Sequence, residues 1–114
     1  MKTLLIVEDD IATREALAEL LAKNEREIVT ANDGNQALEC LAAMPRPSLI
    51  VLDLCTPGMS GYEFLRRQSM DPLIAGIPTL VVSGSVSDLP PGARQLMTKP
   101  VNATRLRALV DQYC

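Results

Sequence analysis

Residues 49–61 read LIVLDLCTPGMSG and carry the signals that decide the fold. The run 49–52 is short, apolar and rich in branched residues, which is typical of a strand buried on both faces of a sheet. Asp53 follows directly, and the proline and glycines after it shape a tight loop into the helical pattern 61–69. The segment predicts a strand, then a loop that holds an aspartate oxygen exposed and rigid, and then a helix.

The same alternation extends over the whole chain. Further apolar runs predict strands at 4–7, 28–31, 79–82 and 95–98. Apolar residues at helical spacing predict helices at 11–23, 35–43, 61–69 and 103–113. Strands that alternate with helices indicate βαβ units, so the predicted fold class is α/β, a doubly wound, five-stranded parallel sheet with helices on both faces.

One crossover departs from this rhythm. Residues 84–93 read GSVSDLPPGA, and their two prolines and two glycines leave room for about one helical turn. We therefore expect the fourth crossover helix, between the fourth and fifth strands, to be shortened or irregular.

Length, composition and charge exclude several classes of protein. The 114 residues are 47% apolar and 22% charged, which favours one folded domain over a disordered chain. The 11 Lys and Arg against 14 Asp and Glu give a net charge of −3 with no basic run, which argues against nucleic-acid or membrane-surface binding. No apolar run approaches the roughly 20 residues of a membrane span, and no secretion signal is recognisable.

The cysteine and histidine contents narrow the chemistry. Cys40, Cys55 and Cys114 are an odd number without a C-x-x-C pair, which predicts a reduced, cytoplasmic protein. The chain has no histidine, which excludes Ser-His-Asp and Cys-His catalysis and imidazole metal sites. Oxygen ligands and hard cations remain as the available chemistry.

Polar side chains stand where four of the predicted strands end. Glu8 and Asp9 follow the first strand, Asp53 the third, Ser83 the fourth and Lys99 the fifth. The carboxyl ends of parallel strands lie at one edge of a sheet, where α/β proteins bind their ligands. We therefore expect these five side chains to converge.

Crowded carboxylates at that edge predict a bound cation. Two like charges about 4 Å apart repel by about 4 kcal/mol at an effective dielectric near 20. Oxygen-rich sites that keep bound water suit Mg²⁺, so we expect a divalent cation held by Asp9 and Asp53, with Glu8 acting through water. An aspartate beside such a cation, a lysine and a serine hydroxyl suits attack on phosphorus, which would make Asp53 an acyl phosphate.

A simpler interpretation treats the acids separately. Glu8, Asp9 and Asp10 would form a solvated loop that caps the first helix, and Asp53 would close a turn. This interpretation leaves the matching position of Lys99 unexplained.

Four segments at these strand ends resemble a response-regulator receiver domain, the CheY-like phosphoacceptor module of two-component signalling. They are LLIVEDD at 4–10, LIVLDLCTPGMSGYEFL at 49–65, TLVVSGS at 79–85 and TKP at 98–100. The resemblance covers essentially the whole chain and implies one receiver domain over residues 1–114. It also implies the flavodoxin-like strand order 2-1-3-4-5.

The resemblance implies a role for each residue at the edge. Asp53 would accept a phosphoryl group from a histidine kinase or phosphotransfer protein, Ser83 would hydrogen-bond a phosphoryl oxygen, and Lys99 would pair with the phosphate. Mg²⁺ or Mn²⁺ would be held by the carboxylates of Asp9 and Asp53, the backbone carbonyl of Cys55 and, through water, Glu8. The module would signal by altered protein binding and would catalyse only its own phosphotransfer and dephosphorylation, so it is not expected to be an enzyme.

Three local features bear on this resemblance. Pro100 follows a peptide bond that is often cis in the family, an isomer that only a residue before proline adopts cheaply. Leu96 stands where the family usually places a switching aromatic ring, and the interval between Ser83 and Lys99 is short. We therefore expect incomplete switching and an altered output surface. The chain boundaries fit both a stand-alone regulator and a domain of a longer protein.

Other functions remain as alternatives. Leu96 and the short crossover favour an interaction module that keeps the fold and works without phosphorylation. An aspartyl-nucleophile phosphatase of the haloacid-dehalogenase type would need a second acid where Cys55 stands, and a cap-sized insertion. A flavodoxin-like cofactor protein would need phosphate-cradling Gly, Ser or Thr residues after the first strand, where this chain has acids.

Overall fold

A computed structural model describes residues 1–85 and 88–114 of the chain. Its five strands are β1 (Lys2–Val7), β2 (Arg26–Ala31), β3 (Leu49–Asp53), β4 (Thr79–Ser83) and β5 (Gln95–Thr98). The helices of the described residues are α1 (Ile11–Leu21), α2 (Gly34–Ala43), α3 (Gly61–Met70) and α4 (Ala103–Tyr113).

The strands form one parallel sheet in the order β2-β1-β3-β4-β5, which confirms the predicted fold class and strand order. Every residue of β3 and β4 is buried, and so are the last five residues of β1. Strands that are apolar on both faces need a cover on each side. Here α1 and α4 pack on one face of the sheet, and α2 and α3 on the other.

Each helix begins at a polar residue that accepts a hydrogen bond from a backbone N–H of the first turn. Such caps satisfy donors that have no partner within the helix. The capping residues are Asp10, as predicted, Asp33, Ser60 and Asn102. No helix of the described residues is both long and apolar enough to cross a bilayer.

The crossover from β4 to β5 contains no helix at residues 84–85 and 88–94. This confirms the expected irregular crossover for its described part; residues 86 and 87 lie outside the described residues. Pro90 is buried, and Ala93 packs against the core on the α2 and α3 side of the sheet. An irregular segment therefore covers the area next to α3.

Gln68 anchors α3 to the start of β4. Its buried Nε2 donates to the carbonyl oxygens of Ile74 and Ile77, at 3.0 and 2.9 Å, and its Oε1 accepts from Thr79 Oγ1 at 3.1 Å. Replacing Gln68 with methionine leaves these polar groups buried without a partner, and we expect a loss of about 2 to 4 kcal/mol in unfolding free energy. Urea denaturation tests this, with the exposed neighbour Ser69→Ala as a control that should change by less than about 0.5 kcal/mol.

Candidate functional site

The strand ends bring the predicted polar residues to one edge of the sheet. Glu8 and Asp9 directly follow β1, Asp53 ends β3, Ser83 ends β4, and Lys99 directly follows β5. The backbone N–H of Lys99 donates to the Ser83 carbonyl oxygen at 2.9 Å, which ties the last two ends together. The predicted convergence is therefore present.

Three carboxylates form an acidic cluster at this edge. Glu8, Asp9 and Asp53 each offer an oxygen, and these atoms all lie within 4.8 Å of one another. Asp9 is exposed, whereas Glu8 is only 2% exposed and Asp53 only 7%. The Asp53 side chain is therefore largely covered by its neighbours, and an accessible oxygen on it stays a prediction.

Lys99 lies against two members of the acidic cluster. Its Nζ is 3.2 Å from Glu8 Oε1 and 3.8 Å from Asp53 Oδ2. Partial burial by itself lowers the pKa of Lys99, but the hydrogen bond with Glu8 and the charges of Asp53, Glu8 and Asp9 outweigh it and raise the pKa. The side chain is therefore a protonated ammonium across the neutral pH range.

The acidic cluster and Lys99 together carry three negative charges and one positive charge. At an effective dielectric near 20, each carboxylate pair at 4.8 Å repels by about 3 to 4 kcal/mol. A divalent cation would bring the sum to zero, and carboxylate oxygens are the ligands that Mg²⁺ prefers. The donor set therefore fits such an ion.

The three carboxylates differ in how many hydrogen bonds they accept from the described residues. Glu8 already accepts from Lys99 at Oε1 and from the Asp10 N–H at Oε2, the latter at 3.3 Å. Asp53 accepts from the Cys55 N–H at Oδ1, 3.2 Å away, whereas Asp9 accepts no hydrogen bond from any described residue. Among the three carboxylates, Asp9 thus accepts the fewest hydrogen bonds from the described residues and Glu8 the most.

The loop after Asp53 is fixed by local hydrogen bonds. Thr56 Oγ1 donates to the Met59 carbonyl oxygen at 2.8 Å, and the Gly61 N–H donates to the Leu54 carbonyl oxygen at 3.0 Å. Cys55 lies within this loop, with an exposed thiol 3.9 Å from Ser85 Oγ. The backbone of Cys55 is therefore adjacent to the acidic cluster and held by its own hydrogen bond to Asp53.

Ser83 and Leu96 differ in their surroundings. Ser83 is buried, and its hydroxyl oxygen accepts from the Ser85 N–H at 3.3 Å and lies 3.4 Å from Ser85 Oγ. Leu96 is half-buried and packs with the core cluster on the α2 and α3 side. The Lys99–Pro100 peptide bond is cis, as the resemblance implied.

Two contributors were missed by the sequence analysis. Ser85 lies beside Ser83 and Cys55, and the serine pair in SGS was the available signal. Arg14 Nη1 donates to the Glu8 carbonyl oxygen at 3.0 Å. No sequence signal separates Arg14 from an ordinary exposed arginine on a helix.

Comparisons with known proteins agree on one family. The family model described as the response regulator receiver domain matches residues 4–111. The two-component response regulator ORR3 of Oryza sativa subsp. indica is 28% identical over 114 residues, which cover 95% of this chain and 87% of that protein. Protein PilH of Pseudomonas aeruginosa is 27% identical over 117 residues, which cover 97% and 96%. The structure of the chemotaxis response regulator CheY4 of Vibrio cholerae superposes with a TM-score of 0.86, at 28% identity, over 100% of this chain and 99% of that chain.

Proposed function

The chain belongs to the response regulator receiver domain family, and from that premise we propose that Asp53 accepts a phosphoryl group from a phosphohistidine on a histidine kinase or phosphotransfer protein. The observation that carries this proposal is the acidic cluster with the Lys99 ammonium 3.8 Å from Asp53 Oδ2. A lone aspartate in a turn would need neither the other two carboxylates nor the lysine.

The two oxygens of Asp53 have different parts in the transfer. Oδ1 is held by the Cys55 N–H, whereas Oδ2 accepts no hydrogen bond from the described residues and is the free nucleophile. A new bond forms between Oδ2 and phosphorus while the bond from phosphorus to the donor's imidazole nitrogen breaks, and the imidazole leaves with that electron pair. The product is an acyl phosphate on Asp53.

Lys99 and Ser83 act on the phosphoryl oxygens. The Lys99 ammonium neutralises charge on one of them, and the Ser83 hydroxyl donates a hydrogen bond to another once Asp53 is modified. Ser83 ends β4, which pairs with β3, and Lys99 follows β5, which pairs with β4, so the rigid sheet sets the distance of both side chains from Asp53.

Mg²⁺ or Mn²⁺ is the cofactor that this donor set fits. The ligands would be the carboxylates of Asp9 and Asp53 and the backbone carbonyl of Cys55, with Glu8 acting through water. When bound, the ion supplies positive charge that offsets the phosphoryl oxygens. The two hydrogen bonds that Glu8 already accepts support its indirect role.

The proposed module spans residues 1–114 and signals by a change in protein binding. Transfer to water, catalysed by the same residues, would end the signal. The downstream protein is left open, and the cytoplasmic location stays a prediction from the cysteine pattern.

A second candidate function is supported by the β4 to β5 crossover. This crossover has no helix in its described part, and Leu96 replaces the switching aromatic ring of the family. An interaction module that works without phosphorylation would tolerate both departures.

Acetyl phosphate distinguishes the two candidates. Incubation with Mg²⁺ and acetyl phosphate should add the mass of one phosphoryl group, measured on the intact protein, and omission of Mg²⁺ should abolish the gain. An unchanged mass after incubation with acetyl phosphate and Mg²⁺ would support the interaction module.

We expect Mg²⁺ to stabilise the folded chain, because it offsets the repulsion within the acidic cluster. At a concentration ten times the dissociation constant, the gain is about 1.4 kcal/mol, or roughly 6 °C in melting temperature for a chain of this size. Calorimetry across a Mg²⁺ titration measures the shift. Asp9→Asn should remove most of it, and the same shift in both proteins would argue against this site.

A further inference from the structure

We propose that Gly61 is a positioning residue for the phosphoacceptor site. The lack of a side chain at the start of α3 lets the helix rest on the backbone of Asp53 and Leu54, and this contact fixes where Asp53 and Cys55 lie. The inference rests on the proposed function of Asp53.

The approach of α3 to the end of β3 leaves no room for a methyl group. A Cβ on Gly61 would lie 2.6 Å from Leu54 Cα and 3.0 Å from the Asp53 carbonyl oxygen. Carbon atoms in contact are normally separated by about 3.5 to 4.0 Å, so an alanine would displace the helix start or the 53–54 backbone by about 1 Å. Backbone atoms cannot rotate out of the way as a flexible side chain can.

The surrounding contacts direct that displacement toward the site. Leu54 is only 2% exposed, so its backbone has little room to move into the core, and a Cβ on Gly61 would strain the 3.0 Å hydrogen bond from the Gly61 N–H to the Leu54 carbonyl oxygen. On the far side of the loop, the Met59 side chain packs against Gly34. A Cβ on Gly34 would lie 2.8 Å from the Met59 Sδ. The loop is thus held from two sides, so a displacement at Leu54 would be passed on to the next residue, Cys55.

A shift of Cys55 would disturb two functions at once. Its N–H holds Asp53 Oδ1 at 3.2 Å, and its carbonyl is the proposed backbone ligand. Mg²⁺ requires near-octahedral geometry at about 2.0 to 2.1 Å, so a displacement of about 1 Å exceeds what the ion accepts. Misplacement of a reacting group by about 1 Å can cost about 100-fold in rate.

Gly76 provides a matched control. A Cβ at Gly76 would also meet an atom at 2.8 Å, but that atom is the Nη2 end of the flexible Arg46 side chain, far from the acidic cluster. Gly76→Ala therefore makes the same chemical change without displacing backbone. Gln68→Met supplies a variant of lowered stability whose α3 start is intact.

The test compares Gly61→Ala, Gly76→Ala and Gln68→Met in three measurements. We expect Gly61→Ala to weaken Mg²⁺ binding at least about tenfold by calorimetry and to slow phosphorylation by acetyl phosphate about 100-fold. In the metal-free protein, its Cys55 amide should lose the hydrogen bond to Asp53, seen as an upfield NMR shift and faster hydrogen exchange. Gly76→Ala and Gln68→Met should match the wild type in all three measurements.

Two outcomes would overturn the inference. One is Mg²⁺ affinity and a Cys55 amide signal in Gly61→Ala that match the wild type; the other is an equal loss in Gln68→Met, which would assign the effect to stability. A wild type that is never phosphorylated would refute the proposed function, while the amide and metal measurements still test Gly61.

If Gly61→Ala does not fold in buffer, all the variants and the wild type are compared in trimethylamine N-oxide, which favours the folded chain. Gly61→Ala should show the same losses relative to the wild type there, and equal Mg²⁺ affinity in the two would overturn the inference.

Discussion

Replacing Asp53 with asparagine is expected to abolish the mass gain from acetyl phosphate completely. The amide oxygen is uncharged and a poor nucleophile, and the variant keeps nearly the same shape in a place that is only 7% exposed. Intact-protein mass spectrometry checks the result. Glu19→Gln, on the exposed side of α1, removes the same charge elsewhere and should leave the gain unchanged.

The same substitution should raise stability in the absence of metal. At an effective dielectric of 20, the repulsion of Asp53 by two carboxylates within 4.8 Å exceeds its attraction to the Lys99 ammonium at 3.8 Å by roughly 2 to 3 kcal/mol. Sites selected for function commonly cost stability in this way. A retained mass gain would assign the phosphate to another residue, and a loss of stability would indicate a structural role for Asp53.

The convergence of the acidic cluster and Lys99 was predictable because it depends only on topology. Short apolar runs identified the strands, and parallel pairing placed the carboxyl ends together whatever the separation along the chain. Glu8 and Lys99 are 91 residues apart in sequence, yet their side chains are 3.2 Å apart. Only the strand ends and their order were needed for that inference.

The burial of individual side chains and the close contacts between backbone segments were not predictable from the topology. The sequence predicts an accessible oxygen on Asp53, but not how much of the side chain is covered, which depends on how the loop and Lys99 pack around it. The contact between Gly61 and Leu54 depends on how the start of α3 rests on the end of β3. Such distances follow from tertiary packing and carry no periodic signal in the sequence.

The lack of a helix in the described part of the β4 to β5 crossover was predictable from its composition, but the burial of Pro90 was not. Two prolines and two glycines within residues 84–93 disfavour a helix, as the described part of the crossover confirms. That Pro90 would be buried has no signature in the sequence, because proline is common on exposed loops.

Lys99→Met should slow phosphorylation of Asp53 by about 10²- to 10³-fold, the usual cost of losing one preorganised charge at a developing anion. The acceptor, Asp53, is left in place, so a slow mass gain should remain, in contrast to Asp53→Asn. A time course with acetyl phosphate and saturating Mg²⁺ measures the rate. Lys23→Met, which removes an exposed lysine paired with Asp111, should react at the wild-type rate.

The stability of Lys99→Met should change in the direction opposite to that of Asp53→Asn. Glu8 is only 2% exposed, and without Lys99 its carboxylate faces Asp9 and Asp53 and loses the one ion pair that it forms among the described residues. Removing one partner of a fully buried ion pair costs about 3 to 5 kcal/mol, and because the Lys99 side chain is 35% exposed we expect about 2 to 3 kcal/mol. Mg²⁺ should recover part of this loss, and Lys99→Met/Asp53→Asn should be more stable than Lys99→Met alone, because the second change removes the repulsion that the first exposes. A double variant less stable than Lys99→Met alone would mean that the acidic cluster is not under electrostatic strain, and the reason to expect a cation there would disappear.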